Sequence, residues 1–143
     1  MNELNFFHTF IRLMLAVVCG SVLGLERTKS GKSAGFRTHI LVCVGSALIM
    51  LISIYIFQLY ATTNASLDPS RIAAGVVTGI GFLGAGAIMK SEEHIIGLTT
   101  AASIWISSGI GLAVGCGYIS AALVATIVAF LVLSVPRILN KNL

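Results

Sequence analysis

Thr38–Ala61 reads THILVCVGSALIMLISIYIFQLYA, twenty-four residues without an Asp, Glu, Lys or Arg. Coiled as an α-helix, that stretch is about 36 Å long, more than the ~30 Å hydrocarbon core of a bilayer. It does not alternate polar and apolar side chains, as the strands of a membrane barrel do. A backbone in lipid must satisfy its own hydrogen bonds, so the stretch reads as a transmembrane helix.

Working outward, the remaining charged residues cut the 143-residue chain into four further apolar blocks of similar length. With the first stretch they give five spans, at about 4–25, 38–61, 72–89, 95–114 and 118–138. The intervening segments are a polar stretch from Glu26 to Arg37, a turn around Thr62–Asp68, a loop from Lys90 to His94 and the break Gly115-Cys116-Gly117. Only 10% of the chain is charged and 57% is hydrophobic, against roughly 25% charged residues in soluble domains. That balance excludes a water-soluble domain, and the hydrophobicity excludes disorder. The expected fold is an all-α integral membrane protein, one domain over residues 1–143. It is a bundle of about five transmembrane helices with no soluble C-terminal domain.

Charge placement sets the expected orientation. Arg27, Lys29, Lys32, Arg37, Lys90, Arg137 and Lys141 fall on one side of such a bundle, and only Arg12 and Arg71 on the other. The N-terminus is then outside and the C-terminus cytoplasmic. Tyr55, Phe57 and Tyr60 form an aromatic anchor at the outer end of the second span. The net charge of +4 is thus a topology signal and not a nucleic-acid patch. Glu3 stands where a secretory signal would carry positive charge, so the first span is read as retained.

Asp68-Pro69-Ser70-Arg71 is the sharpest local signal. Asp is a favoured N-cap and Pro a favoured first helical residue, so one reading is simply the start of the third span. The other is that Asp68 is an intramembrane carboxylate facing the bundle, with functional weight. Arg12, two turns inside the outer edge, must either snorkel or pair, and Arg12–Asp68 and Arg71–Asp68 are both candidate pairs. The third span holds Gly75, Gly79, Gly81, Gly84 and Gly86. Gly79–Gly84 matches G-x-G-x-x-G in form, but without a strand before it the dinucleotide reading fails. Close helix packing is the better reading, as for Gly20 and Gly24 in the first span and Gly111 and Gly115 in the fourth. The alternative is a partly unwound span lining a cavity. In the fourth span Thr99, Ser103, Ser107, Gly111 and Gly115 step by four along one face. That stripe suits interhelical hydrogen bonds or, alternatively, a hydrophilic path. Trp105 lies mid-span, and its N–H is expected to find a partner inside the bundle.

His8, His39 and His94 are scattered and Cys19, Cys43 and Cys116 lack ligand spacing, so no metal site is expected. The cysteines read as small apolar residues. Glu92-Glu93 reads as a solvated loop. With no nucleophile–base pair and no phosphate loop, the chain reads as non-enzymatic and cofactor-free.

Several of these motifs together resemble the MgtC/SapB family of membrane proteins: Gly24-Leu25-Glu26-Arg27, Ala34-Gly35-Phe36-Arg37-Thr38-His39, Asp68–Ala74 with Gly79–Gly86, and Gly97–Ala102 with Trp105. The likeness covers roughly residues 15–125. It implies a multi-pass protein of the bacterial inner membrane that supports adaptation to low magnesium or to the host cell. The family's virulence-related members regulate other membrane machinery, notably the F-type ATP synthase. Asp68 matches the family's important acidic position, and Glu26, Arg27, Arg37 and Thr99 match motif positions without an assigned role. Two features depart from the pattern. The virulence-associated members have a soluble domain after the last span, and Gly75 stands where many relatives have Gln. The expected partners are the lipid bilayer, a membrane protein such as the ATP synthase, and further copies of the chain in a homo-oligomer. The alternative is a small oligomeric ion transporter or channel subunit, related to magnesium, built around Asp68, Arg71, Arg12 and the hydroxyl stripe with Ser103.

Overall fold

The structure, a computed structural model, describes residues 6–60, 68–90 and 94–139, the last four as backbone only. Glu3, the turn at 62–67, Glu92-Glu93 and Lys141 lie outside the described residues, as does the side chain of Arg137. Five helices follow one another: α1 (Phe6–Lys29), α2 (Phe36–Tyr60), α3 (Ser70–Gly86), α4 (Leu98–Cys116) and α5 (Ile119–Leu139). Among the described residues, α1, α2 and α4 are long and apolar enough to cross a membrane. α3 and the stretch Ile119–Val135 of α5 are apolar and shorter.

Consecutive helices run in opposite directions, as contacts at their ends show. Ser53 near the end of α2 donates to the carbonyl of Pro69 before α3. Gly84 at the end of α3 lies against Ala101 at the start of α4. Arg12 in α1 reaches Gly115 in the last turn of α4, and Arg27 at the other end of α1 reaches Leu133 in α5. Helix α4 touches all four of the others. The core is apolar and fine-grained, with Ala16, Cys19 and Leu23 of α1, Cys43 and Ala47 of α2, and Ile110 and Val114 of α4 meeting Ala122 and Leu133 of α5.

Glycine sets how closely the three central helices approach. A Cβ added to Gly20 would fall 2.8 Å from the His39 carbonyl oxygen, and one on Gly24 2.7 Å from the Phe36 Cα. At Gly111 it would strike the Cys43 carbonyl, and at Gly115 it would lie 2.5 Å from that of Ala47. Lipid gives helices no hydrophobic reason to associate, so close approach of this kind supplies the packing energy. The expectation fails for Gly75, Gly79, Gly81 and Gly86, where an added Cβ would meet nothing within 4 Å. Helix α3 lies at the flank of the bundle, and Gly84 is its one buried residue.

Element boundaries differ from the sequence reading in two places. Helix α1 does not stop at Leu25 but continues through Lys29. It ends at Gly31, whose φ of +65° allows a Schellman closure with Lys32 N–H on the Arg27 carbonyl and Gly31 N–H on that of Thr28. Glu26 and Arg27 are therefore helical rather than loop residues. The segment between α3 and α4 folds into a short antiparallel pair, Met89 opposite Ile96 and Lys90 opposite Ile95. Ile95 and Ile96 thus belong to a strand and not to the fourth span. Gly97, at φ +96°, turns the chain from that strand into α4, and its missing side chain leaves room for the Ala87 carbonyl.

Candidate functional site

Two polar groupings stand out against the apolar bundle, one at each end. The first begins with Glu26 and Arg27 on the last turns of α1, both almost wholly buried. The Arg27 Nε donates to Glu26 Oε2, and the second carboxylate oxygen accepts the Ser30 hydroxyl at 2.7 Å. Arg27 Nη2 then donates to the Leu133 carbonyl of α5 at 3.0 Å. The guanidinium therefore compensates a carboxylate on α1 and ties the end of α1 to α5.

His39, on the first turn of α2, is fully buried beside this pair. Its Nδ1 donates to the Gly35 carbonyl at 2.8 Å. Its Nε2 faces the Ser103 hydroxyl of α4 at 3.0 Å, and that hydroxyl also lies 2.8 Å from the Thr100 carbonyl. A serine hydroxyl has one proton to give. With a neutral ring, Ser103 donates it to Nε2; with both ring nitrogens protonated, Nε2 donates to Ser103 and Ser103 to Thr100. The same α2–α4 seam continues with the Cys43 thiol donating to the Ser107 carbonyl and the Ser46 hydroxyl to Ser108. Of the hydroxyl stripe on α4, Ser103 thus bonds across to α2, Ser107 bonds back to the Ser103 carbonyl of its own helix and Thr99 is exposed, and among the described residues no buried side-chain polar atom lacks a partner.

At the opposite end, Arg12 reaches a helix terminus and not Asp68. Its Nη1 donates to the Gly115 carbonyl at 2.9 Å. Gly117 follows at φ +88°, closing α4 with Gly117 N–H on Val114 and Tyr118 N–H on Ala113. A Cβ on Gly117 would sit 2.9 Å from Nη2. The guanidinium therefore occupies the negative end of the α4 dipole, where a cation is favoured.

Asp68 precedes α3 and is exposed, so the reading of a carboxylate facing the bundle gives way to that of a helix start. Its Oδ1 accepts the Ser70 N–H at 2.8 Å. Hydrogen bonds from the Ser70 hydroxyl and N–H, with the charge of Arg71, hold the carboxyl below its usual range. Trp105 does not point into the bundle either. It is 52% exposed on the outer face of α4, because α4 turns Ser103, Ser107 and Ser108 inward. Arg37 lies at the mouth of a cleft of about 670 Å³ between α2 and α3. Thr99 is exposed on the rim of a second, of about 520 Å³, between α4 and α5.

Of the residues singled out in the sequence, the fold gathers Glu26, Arg27 and Ser103 at one end, sets Arg12 at the other, and leaves Asp68, Arg71, Arg37 and Thr99 on the surface. His39 was missed as a site residue. Its signal was present, since His39, Ser46 and Ser53 are spaced by seven and Cys43 falls between them, a polar stripe matching that of α4. Among the described residues, no three His, Cys, Asp or Glu side chains are gathered as for a metal ion.

Apolar helices joined by buried glycines and a satisfied polar seam define a helical membrane protein. The chain belongs to the MgtC family, whose model matches residues 13–142. It is 46% identical over 138 residues to the "Putative magnesium transporter YhiD" of Escherichia coli K12, covering 92% of this chain and 64% of that one. It is 42% identical over 122 residues to "Protein MgtC" of Salmonella typhimurium, covering 85% of this chain and 49% of that one. The chain thus spans about half to just under two thirds of the length of these relatives. No solved structure matches it.

Proposed function

We propose that the chain is a multi-pass protein of the bacterial inner membrane that regulates other membrane machinery during adaptation to low magnesium or host-cell stress. The observation that carries this reading is the division of labour among the helices. Helices α1, α2 and α4 spend four of their glycines on one another, and α2 and α4 share the seam of His39, Cys43 and Ser46 with Ser103, Ser107 and Ser108. Helix α3 instead turns a small-residue face outward, through Ala74, Thr78, Gly81 and Ala85, with Phe82 83% exposed upon it. Small residues admit close approach of a second backbone, and an aromatic anchor adds contact area. The F-type ATP synthase is the proposed partner, on the family resemblance, and the positive-inside rule puts Lys29, Lys32, Arg37 and Lys90 in the cytoplasm. A photocrosslinking residue at Phe82 in native membranes tests this. Adducts with an ATP synthase subunit or another pump support it, and adducts with copies of the same chain alone overturn it.

A second reading rests on the name of the E. coli relative. On it the chain forms part of a homo-oligomeric magnesium transporter, with Asp68 and Arg71 at the outer mouth. Magnesium flux into liposomes that falls with Asp68→Asn supports it; absence of flux from the purified protein rejects it.

A further inference from the structure

The cleft between α2 and α3 has a chemistry that the regulatory reading does not use. Its walls are apolar, with Leu41 and Ile49 from α2 and open backbone at Gly45, Gly75 and Gly79, where an added Cβ would meet nothing within 4 Å. Lining positions run along α2 from Arg37 to Ile49, twelve residues or about 18 Å at 1.5 Å per residue. That is close to one leaflet, about half of the ~30 Å hydrocarbon core. At one end stands Arg37, and among the described residues no side chain is hydrogen-bonded or ion-paired to it. This is the end of the bundle that carries Lys29, Lys32 and Lys90. Glu26, a buried carboxylate at this end among the described residues, is already compensated by Arg27.

A groove that is apolar for the depth of a leaflet and cationic at its mouth complements one kind of molecule. We infer that it holds an acyl chain of an anionic phospholipid, with the headgroup phosphate on the Arg37 guanidinium. The missing side chains at Gly45, Gly75 and Gly79 make the width for the chain, and basic pockets between helices on the cytoplasmic side are suited to such headgroups. The outward face of α3 is a separate surface, so this site stands or falls independently of the proposed partner.

Native mass spectrometry of the purified protein, exchanged into micelles with equal phosphatidylglycerol and phosphatidylcholine, reads the site directly. Retained phosphatidylglycerol should exceed phosphatidylcholine by about fivefold, the preference one basic side chain gives at an anionic surface. Arg37→Gln should remove the preference and Arg37→Lys keep it, while the unfolding midpoint of both in lipid-free micelles stays at the parent value. Gly79→Leu should reduce retention of both lipids by filling the groove. Equal retention of the two lipids by the parent protein overturns the inference, as does a preference that survives Arg37→Gln. Disulfide-linked dimers through Gly79→Cys in native membranes would show a second copy in the groove and overturn it as well.

Discussion

The buried pair Glu26–Arg27 is informative because adjacent residues on a helix normally point apart, so both must be held inward by something else. The something else is Ser30 on one side and the Leu133 carbonyl on the other. Removing one member leaves a charge without its partner, and Glu26→Ala should cost about 3–5 kcal/mol of stability. Replacing both by apolar residues of similar volume, Glu26→Met with Arg27→Leu, should recover most of that loss, because no stranded charge remains. Ser46→Ala, which removes an ordinary interhelical hydrogen bond, should cost only about 0.6 kcal/mol. Unfolding midpoints in a mild detergent rank the three, and a Glu26→Ala loss no larger than that of Ser46→Ala would place the pair in water.

The two outer charges answer a different question at the same scale. Arg12 sits on the α4 terminus and Asp68 on the start of α3, so Arg12→Met should cost roughly 0.3–2 kcal/mol as a lost helix-end cation. Asp68→Asn keeps a side-chain acceptor for the Ser70 N–H and should move the midpoint little. The double variant should show simple additivity; coupling between them would mean that they touch. The Asp68 carboxyl is held below its usual range. The support it gives α3 is therefore complete at neutral pH and lost only as pH falls through that lowered value.

At the scale of elements, glycine carries two meanings that the sequence does not distinguish. Gly111 and Gly75 each stand in a small-residue series, yet an added methyl would strike the Cys43 carbonyl at the first and open space at the second. Gly111→Ala should cost about 1–3 kcal/mol through overpacking. Gly75→Ala should be neutral or stabilising by up to about 1 kcal/mol, the helix-propensity difference. Thermal unfolding of the two single variants checks the sign of each. Hydropathy alone located all five helices, because a run such as Thr38–Ala61 has only one way to satisfy its backbone in lipid. The extension of α1 to Lys29 was not legible, because Glu26 and Arg27 look like loop residues until Leu133, more than a hundred positions away, supplies a partner. The pairing of His39 with Ser103 escaped for the same reason. Each stripe was visible in its own helix, but their meeting is a fact of the bundle.

For the molecule as a whole, the alternation of helix directions groups the side chains by end without reference to any membrane. Arg27, Lys29, Lys32 and Lys90 share one end, and Arg12, Asp68 and Cys116 the other. The positive-inside rule turns that grouping into an orientation, and the chain carries its own probe for it. Of its three cysteines, Cys19 and Cys43 are buried and Cys116 is exposed in the last turn of α4. In intact cells a membrane-impermeant maleimide should therefore modify Cys116 and spare the other two. With Cys116 changed to Ser, Lys32→Cys should label only after the membrane is opened, and Asp68→Cys in intact cells. Labelling of Lys32→Cys from outside would invert the bundle and put the Glu26–Arg27–His39 cluster at the outer end. Labelling of both Lys32→Cys and Asp68→Cys from outside would break the alternation itself. The packing leaves little freedom for that second result, since α4 bonds to α1 at one end through Arg12 and to α2 at the other through Ser103. Reversing one helix would strand a buried charge or a buried imidazole in lipid.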